Sequence, residues 1–272
     1  YPDADWTYDE FLDAATKLTH GEGNNKVYGY FFPGYDAGQP ATSMLVSKLG
    51  ADWMYTEDGT KAAIDTDDVT EKYLDRVEKG VEPSYVDVTT QKMEPANMLL
   101  TGKAAMVYGD WCVRDVKDLD NYPHDFKVGF ATMPRLSENQ DKNLTTSYTD
   151  DMSINSKSEH KVEAMKFIKW YIEEGMDYVA PFARIPACKK YDEEKVASLI
   201  FGDKSDLFDM DSAKNIYLKG TDFSTRKNLA AATEVNTILT EEFDKAFAGA
   251  QSVDKTLANA QKRADEKIAD EK

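Results

Sequence analysis

Gly102-Lys103-Ala104-Ala105-Met106-Val107-Tyr108-Gly109-Asp110-Trp111 is the stretch on which the reading of this chain turns. Lys103 to Tyr108 has the apolar run of a strand, entered from one glycine and left through another. The strand ends at Gly109, and the next two residues set a carboxylate beside an indole. A helix from about Thr90 to Leu100 precedes it and a polar helix follows. Helix, strand, loop and helix in this order point to an α/β fold. Loops that leave strand ends are where such folds place ligands.

The same order recurs upstream. Thr7 and Glu10 form a capping box that opens a helix over about Asp9 to Leu18, with Phe11, Leu12, Ala15 and Leu18 as its apolar stripe. Val27 to Phe32 is β-branched and aromatic and reads as a strand. A loop from Pro33 to Pro40 leaves it, carrying Tyr35, Asp36 and Gln39, and leads into a helix over Thr42 to Leu49. Trp53 to Thr60 reads as a short hairpin turning at Asp58-Gly59. Asp65 to Asp68 are acids at the start of a helix running to about Glu78, where they offset the helix dipole.

Downstream, Lys127 to Met133 reads as a strand stopped by Pro134, followed by a polar turn from Ser137 to Asn143. Tyr148-Thr149-Asp150-Asp151 leads into a short strand, Met152 to Ile154. Ser156 and Glu159 read as a second capping box. The helix they open carries Val162, Met165, Phe167, Ile168, Tyr171 and Ile172, apolar on more than one side, as a lone exposed helix should not be. A loop from Pro181 to Ala187 holds Phe182 and Arg184. The remainder is helical: Asp192 to Phe201, Leu229 to Phe247, and Ser252 to about Ile268, the last with a narrow seam of Leu257, Ala260 and Ala264. No internal repeat, low-complexity tract or linker interrupts the chain.

Composition narrows the function. With 33 Lys and Arg against 50 Asp and Glu, the net charge of the 272 residues is −17, which argues against nucleic acid and anionic membrane surfaces as partners. A hydrophobic share of 41% is too high for a disordered acidic chain. Three histidines and two cysteines are too few for a multi-histidine metal centre or a four-cysteine zinc site, so no metal and no cofactor is expected. His20, His124 and His160 read as surface residues. Cys112 and Cys188 read first as buried free thiols, then as a single disulfide, and last as a reactive cysteine. No phosphate-binding glycine loop and no nucleophile elbow occurs. No basic head with an apolar run opens the chain, so it shows no signal peptide.

What does stand out is a repeated pairing of an aromatic with a planar polar residue at strand ends. Tyr35 and Asp36 come with Gln39, Trp111 with Asp110 and Arg114, Tyr148 with Asp150 and Asp151, and Phe182 with Arg184. Rings pack on the C–H faces of a sugar, while carboxylate, amide and guanidinium groups hydrogen-bond its hydroxyl rim. Two other functions share this chemistry: a glycosidase or lyase pairing Asp110 with Asp150 or Asp151, and a surface polysaccharide-binding module.

Several motifs then carry a resemblance. Trp6-Thr7-Tyr8-Asp9-Glu10-Phe11, the Gly102–Met106 and Gly109–Trp111 stretches, Val128 to Pro134, Ser153-Ile154-Asn155-Ser156-Lys157-Ser158 with Glu163 to Ile168, Ile185-Pro186-Ala187, and Gly249 to Val253 resemble, in order, segments of the family 1 extracellular solute-binding proteins of ABC importers, the maltose-binding-protein-like group. The resemblance implies an α/β, periplasmic-binding-protein-like (type II) fold. It implies mainly the C-terminal lobe, with most of the N-terminal lobe lacking. On that reading 1–147 is the first part of the C-terminal lobe, 148–182 a hinge crossing with a strand–helix segment of the N-terminal lobe, and 183–272 the helical return. It implies a non-enzymatic protein that closes over an extracellular solute, a mono- or oligosaccharide, and passes it to ABC permease subunits in the membrane. Its location would be extracytoplasmic, as a cell-surface lipoprotein or periplasmic protein. Trp111 matches the family's sugar-stacking tryptophan and Gln39 a polar sugar contact. Ala41 stands where an aromatic contact is expected, so Tyr35 would substitute for it. Tyr35, Asp36, Gln39, Asp110, Trp111, Tyr148, Asp150, Asp151 and Arg184 are the expected ligand-binding residues.

Overall fold

A computed structural model describes residues 2, 5–33, 54–56, 58–64, 67–109, 112–136, 143, 145–146, 151–219, 223–224 and 231–270. Two compact units divide the chain. The larger takes in Pro2–Tyr108, Thr132–Thr146 and Asp222–Lys272, and the smaller Gly109–Ala131 and Ser147–Thr221.

In the larger unit the first helix is Tyr8–Leu18, opened by the expected box: Glu10 N–H donates to Thr7 Oγ1 and the Glu10 carboxylate accepts from Thr7 N–H. Phe11 and Ala15 are buried with Tyr8, while Leu18, expected in the same stripe, is exposed. Phe11 packs edge-on against Trp6 and Tyr30, and the indole N–H of Trp6 donates to Thr132 O at 2.7 Å. Gly29 lies where the next segment crosses the first helix. A Cβ there would sit 1.8 Å from Ala15 O, so only glycine permits the approach.

Segments 27–32 and 103–108 run side by side in parallel, joined at Tyr28–Ala104 and Phe31–Val107, but not as the continuous strands expected. The donors between those pairs are diverted. Gly29 N–H goes to Thr19 Oγ1 and Tyr30 N–H to Val81 O. The expected helix over Thr90–Leu100 is likewise two helices, Tyr85–Gln91 and Pro95–Leu100. Lys92, in left-handed backbone (φ 51°), ends the first, and Pro95, with Glu94 held extended before it (φ −120°, ψ 141°), starts the next.

The hairpin is present as Met54–Tyr55 paired antiparallel with Ala62–Ala63. Asp58 accepts from Thr56 and Thr60 across its turn. Its outer edge is capped by side chains of the last helix, Val253–Asp270: Ala62 N–H donates to Asp265 at 2.8 Å, and Ile64 N–H to Gln261 at 2.9 Å. That helix and Ala232–Phe247 form a hairpin whose seam includes Leu257, Ala260 and Ala264, as read from the sequence. The helix Asp67–Glu78 is present, while the side chains of its expected acidic cap lie outside the described residues, as does the expected helix over 42–49.

One buried ion pair sits in this core. Arg76 Nε donates to Glu82 at 2.7 Å with both side chains essentially inaccessible, and its Nη1 donates to Tyr8 Oη. Burial opposes the guanidinium charge, but Glu82 and Tyr8 outweigh it and hold the Arg76 pKa above its ordinary value. Four aromatic rings, from Tyr8, Phe11, Tyr30 and Tyr73, lie about the cation.

The smaller unit is helical. Its core joins Val113 and Val116 of the short helix Cys112–Val116 with Ile200, Ala213 and a knot of Phe130, Phe201, Phe208 and Tyr217. The strand expected over Lys127–Met133 is reduced to one bridge, Val128 to Phe208, because the next donor, Phe130 N–H, goes to the Ser212 hydroxyl. Met152 to Ile154 is irregular, not a strand. The expected Ser156/Glu159 box does not form: the helix is Lys161–Trp170 and begins without a side-chain cap. Neighbouring residues form local turns instead, with Asn155 accepting from Lys157 N–H and Ser158 from His160 N–H. Cys112 is buried and Cys188 half-buried, and they form no disulfide with each other. No described helix is long and apolar enough to cross a membrane.

Candidate functional site

Two of the expected ligand-binding loops share one structural origin. Segments 27–32 and 103–108 run in parallel, with Phe31 N–H donating to Met106 O and Tyr108 N–H returning to Phe31 O. Their last rings, Phe32 and Tyr108, pack 4.9 Å apart. Both segments therefore end on the same side, one leading to Tyr35, Asp36 and Gln39 and the other to Asp110 and Trp111. Thr145–Thr146 pairs in parallel with Phe223–Ser224, and from its end the chain continues to Tyr148, Asp150 and Asp151. Loops at the carboxyl ends of parallel segments are the standard ligand positions of open α/β folds.

Burial anchors these exits. Tyr30, Phe31 and Phe32 are buried, and Ala104 packs in a second small cluster with Phe31, Val88 and Met98. Beside them, Asn143 spreads its side-chain N–H groups over Trp6 O, Thr132 Oγ1 and Met133 O, tying the segment before Thr145 to the first helix entry. Burial raises the Tyr30 phenol well above its ordinary pKa, so it stays a neutral core group.

The smaller unit brings two further expected segments together. Immediately after Trp111, the helix Cys112–Val116 is fixed by buried Cys112, Val113 and Val116. Its next residue, Lys117, sends its ammonium to Pro181 O at 2.6 Å and Ile200 O at 2.5 Å. Pro181 opens the loop of Phe182 and Arg184. Burial lowers the Lys117 pKa, with Asp203 opposing. Ala183, in left-handed backbone at φ 66°, turns the chain immediately before Arg184. The sequence reading overlooked Lys117, whose acceptors lie 64 and 83 residues further along the chain, where no local pattern points to them.

Of the nine expected site residues, Asp151 and Arg184 are described, and both are exposed on the smaller unit. Tyr35, Asp36, Gln39, Asp110, Trp111, Tyr148 and Asp150 lie outside the described residues. Phe182 is exposed beside Arg184. His20 and His160 are exposed and His124 is half-buried.

Comparison with known proteins identifies the class. A family model described as bacterial extracellular solute-binding protein matches residues 1–177, and the chain belongs to that family. A comparison with curated proteins returned no match. Among solved structures, a sugar transporter from Rhizobium etli in an open conformation aligns with TM-score 0.70 at 20% identity, over 99% of this chain and 65% of its own. The maltose/maltodextrin-binding domain MalE from Bdellovibrio bacteriovorus, bound to maltotriose, aligns with TM-score 0.66 at 20% identity, over 99% and 68%. A solute-binding protein from Agrobacterium radiobacter K84 in complex with ribitol aligns with TM-score 0.67 at 20% identity, over 97% and 65%. The fold is that of the type II periplasmic binding proteins, rich in helix and with short strands. The chain spans about 65% of the length of these solved relatives.

Proposed function

We propose that this chain is the solute-capturing component of an ABC importer, and that its solute is a sugar or sugar alcohol held between two lobes that close by hinge motion. The family match over residues 1–177 is the observation that carries this reading. The relatives bound to maltotriose and ribitol support a polyhydroxylated solute. In this reading Trp111 and Tyr35 supply stacking faces, and Asp36, Gln39, Asp110, Tyr148, Asp150, Asp151 and Arg184 supply hydrogen bonds to hydroxyls. Segments 1–147 and 183–272 belong to the C-terminal lobe and 148–182 to the other. The closed form docks on membrane permease subunits, which places the protein outside the cytoplasm, as a surface lipoprotein or in a periplasm. Binding and release without bond cleavage is the whole of its chemistry.

Isothermal titration of the longest native polypeptide containing these 272 residues, against a panel of mono- and oligosaccharides and polyols that includes maltotriose and ribitol, tests this. Saturable heat with one class of these solutes is the expected result. Heat with none of them, together with binding of a peptide or metal ion, would overturn the solute assignment.

A further inference from the structure

A cleft of about 270 Å³ opens on the smaller unit, between the helical turns that begin at Trp170 and the segment 190–195. Trp170, Glu174, Asp177 and Tyr178 line one wall, at the spacing of a single helical face. Trp170 and Tyr178 are 44% and 72% exposed, and their rings stand 6.5 Å apart at 34°. The indole rests against Gly175, where a Cβ would stand 3.3 Å from Trp170 Cζ3. The turn between the two rings, Tyr171–Gly175, is π-helical, a wider winding frequent at functional sites. Lys190 and Lys195 line the other wall and are tied to the first. Glu173 O accepts from Lys190 Nζ at 3.0 Å and from Tyr191 Oη at 3.1 Å. Lys195 Nζ lies 3.1 Å from Asp177 and 4.5 Å from the centre of the Tyr191 ring. Glu174 is the exception: it lines the cleft, is exposed, and makes no hydrogen bond or ion pair with another described residue.

We propose that this cleft is a second binding site, for a single neutral sugar ring, built from none of the nine residues expected to hold the transported solute. The charges around it select the ligand. Two ammonium groups repel an organic cation, and the carboxylates of Glu173, Glu174 and Asp177 repel an anion. A purely apolar ligand would leave Glu174 desolvated and unpaired. A hydroxylated ring is neutral and uses both signs. Its hydroxyls donate to Glu174 and accept from Lys190 and Lys195, whose ammonium groups each carry three donors, while a C–H face packs on the Trp170 indole. The volume is that of about nine water molecules, room for one ring and not for a chain.

Fluorine NMR of the longest native polypeptide containing these residues, labelled with fluorotryptophan, reads the cleft directly. The Trp170 resonance is the one absent from Trp170→Phe. D-Glucose, D-galactose and D-mannose are titrated separately, with maltotriose, choline and citrate as further arms. We expect at least one monosaccharide to shift the Trp170 resonance saturably. Glu174→Ala should weaken that binding by about tenfold or more, because a charge-assisted hydrogen bond is lost, while circular dichroism and melting temperature stay those of the parent. A Trp170 resonance that none of the monosaccharides moves would overturn the proposal. So would a shift with maltotriose, choline or citrate alone, which would assign the cleft to a longer glycan, a cation or an anion. A monosaccharide affinity that Glu174→Ala leaves unchanged would place the bound sugar elsewhere and overturn it as well. The Trp111 resonance reports the proposed solute site by itself, so the two assignments fail separately.

Discussion

Replacing Glu82 by Gln removes one charge from a pair that water does not reach. Arg76 and Glu82 are 1% and 2% exposed, and the Nε–Oε2 distance is 2.7 Å. The pair lies directly under the segment that leads to Tyr35, since Tyr30 N–H donates to Val81 O and Val81 N–H to Arg76 O. Breaking a buried pair at one end costs about 3–5 kcal/mol, because the surviving charge stays desolvated. Glutamine keeps an acceptor for the guanidinium, so the lower end, about 3 kcal/mol, is expected. With a urea slope of roughly 1–3 kcal/mol per molar, the midpoint should fall by about 1–3 M. Trp6, buried in the same unit, reports by fluorescence alongside circular dichroism. Exchanging both residues together, Arg76→Met with Glu82→Leu, removes charge and desolvation at once and should return to within about 1 kcal/mol of the parent. A cost below about 1 kcal/mol for the single change, or a double variant as unstable as the single, would refute the account of a desolvated pair.

The pocket of donors around Glu242 makes a pH prediction. Burial works against its charge, but hydrogen bonds from Gln251, Lys245, Arg263 and Asn259 outweigh burial and bring the carboxyl down to about 2. A folded value below the ordinary 4.5 means stability that is full above about pH 5 and lost as pH falls toward 2, on the order of 2 kcal/mol after screening of the partly exposed Lys245 and Arg263. The urea midpoint gap between the parent and Glu242→Gln should therefore be wide at pH 7 and narrow steadily below pH 4.5; a gap independent of pH would contradict the assignment. Gly29→Ala should destabilise the larger unit by about 2 kcal/mol or more, read as a lower melting temperature, because the new methyl meets the Ala15 carbonyl. Lys117→Met leaves Pro181 O and Ile200 O without their shared donor and should cost about 1–2 kcal/mol, with faster amide exchange across 180–184; an unchanged exchange pattern would show that the ammonium does not hold that loop.

Local rules read well where the chain itself supplied every partner. Thr7 with Glu10, Asp192 at the start of Glu193–Phe201, and the Asp58-Gly59 turn are self-contained, and each is found where the sequence places it. Apart from the local Ser156/Glu159 box, which does not form, errors arose mainly where a distant group took a donor or acceptor. The strand over 27–32 lost its middle pairs to Thr19 and Val81, and that over 127–133 lost one to Ser212. Pro95 outweighed the apolar periodicity around it. The helix with Val162 and Phe167 was read as apolar on more than one side, and its outer residues are exposed. For the site, the order of strand and loop was readable from residue types. That Phe32 and Tyr108 end side by side, so that two loops share an origin, required pairing across 76 residues that no local pattern encodes.

The most direct test concerns the indole that follows Gly109 and Asp110. In the longest native polypeptide, Trp111→Ala should weaken binding of the titrated sugar or polyol by about tenfold or more, since stacking and apolar contact are lost together, while the melting temperature without solute stays close to the parent's. An affinity unchanged by that substitution would contradict the account of a carbohydrate held against the loops at the ends of the parallel segments.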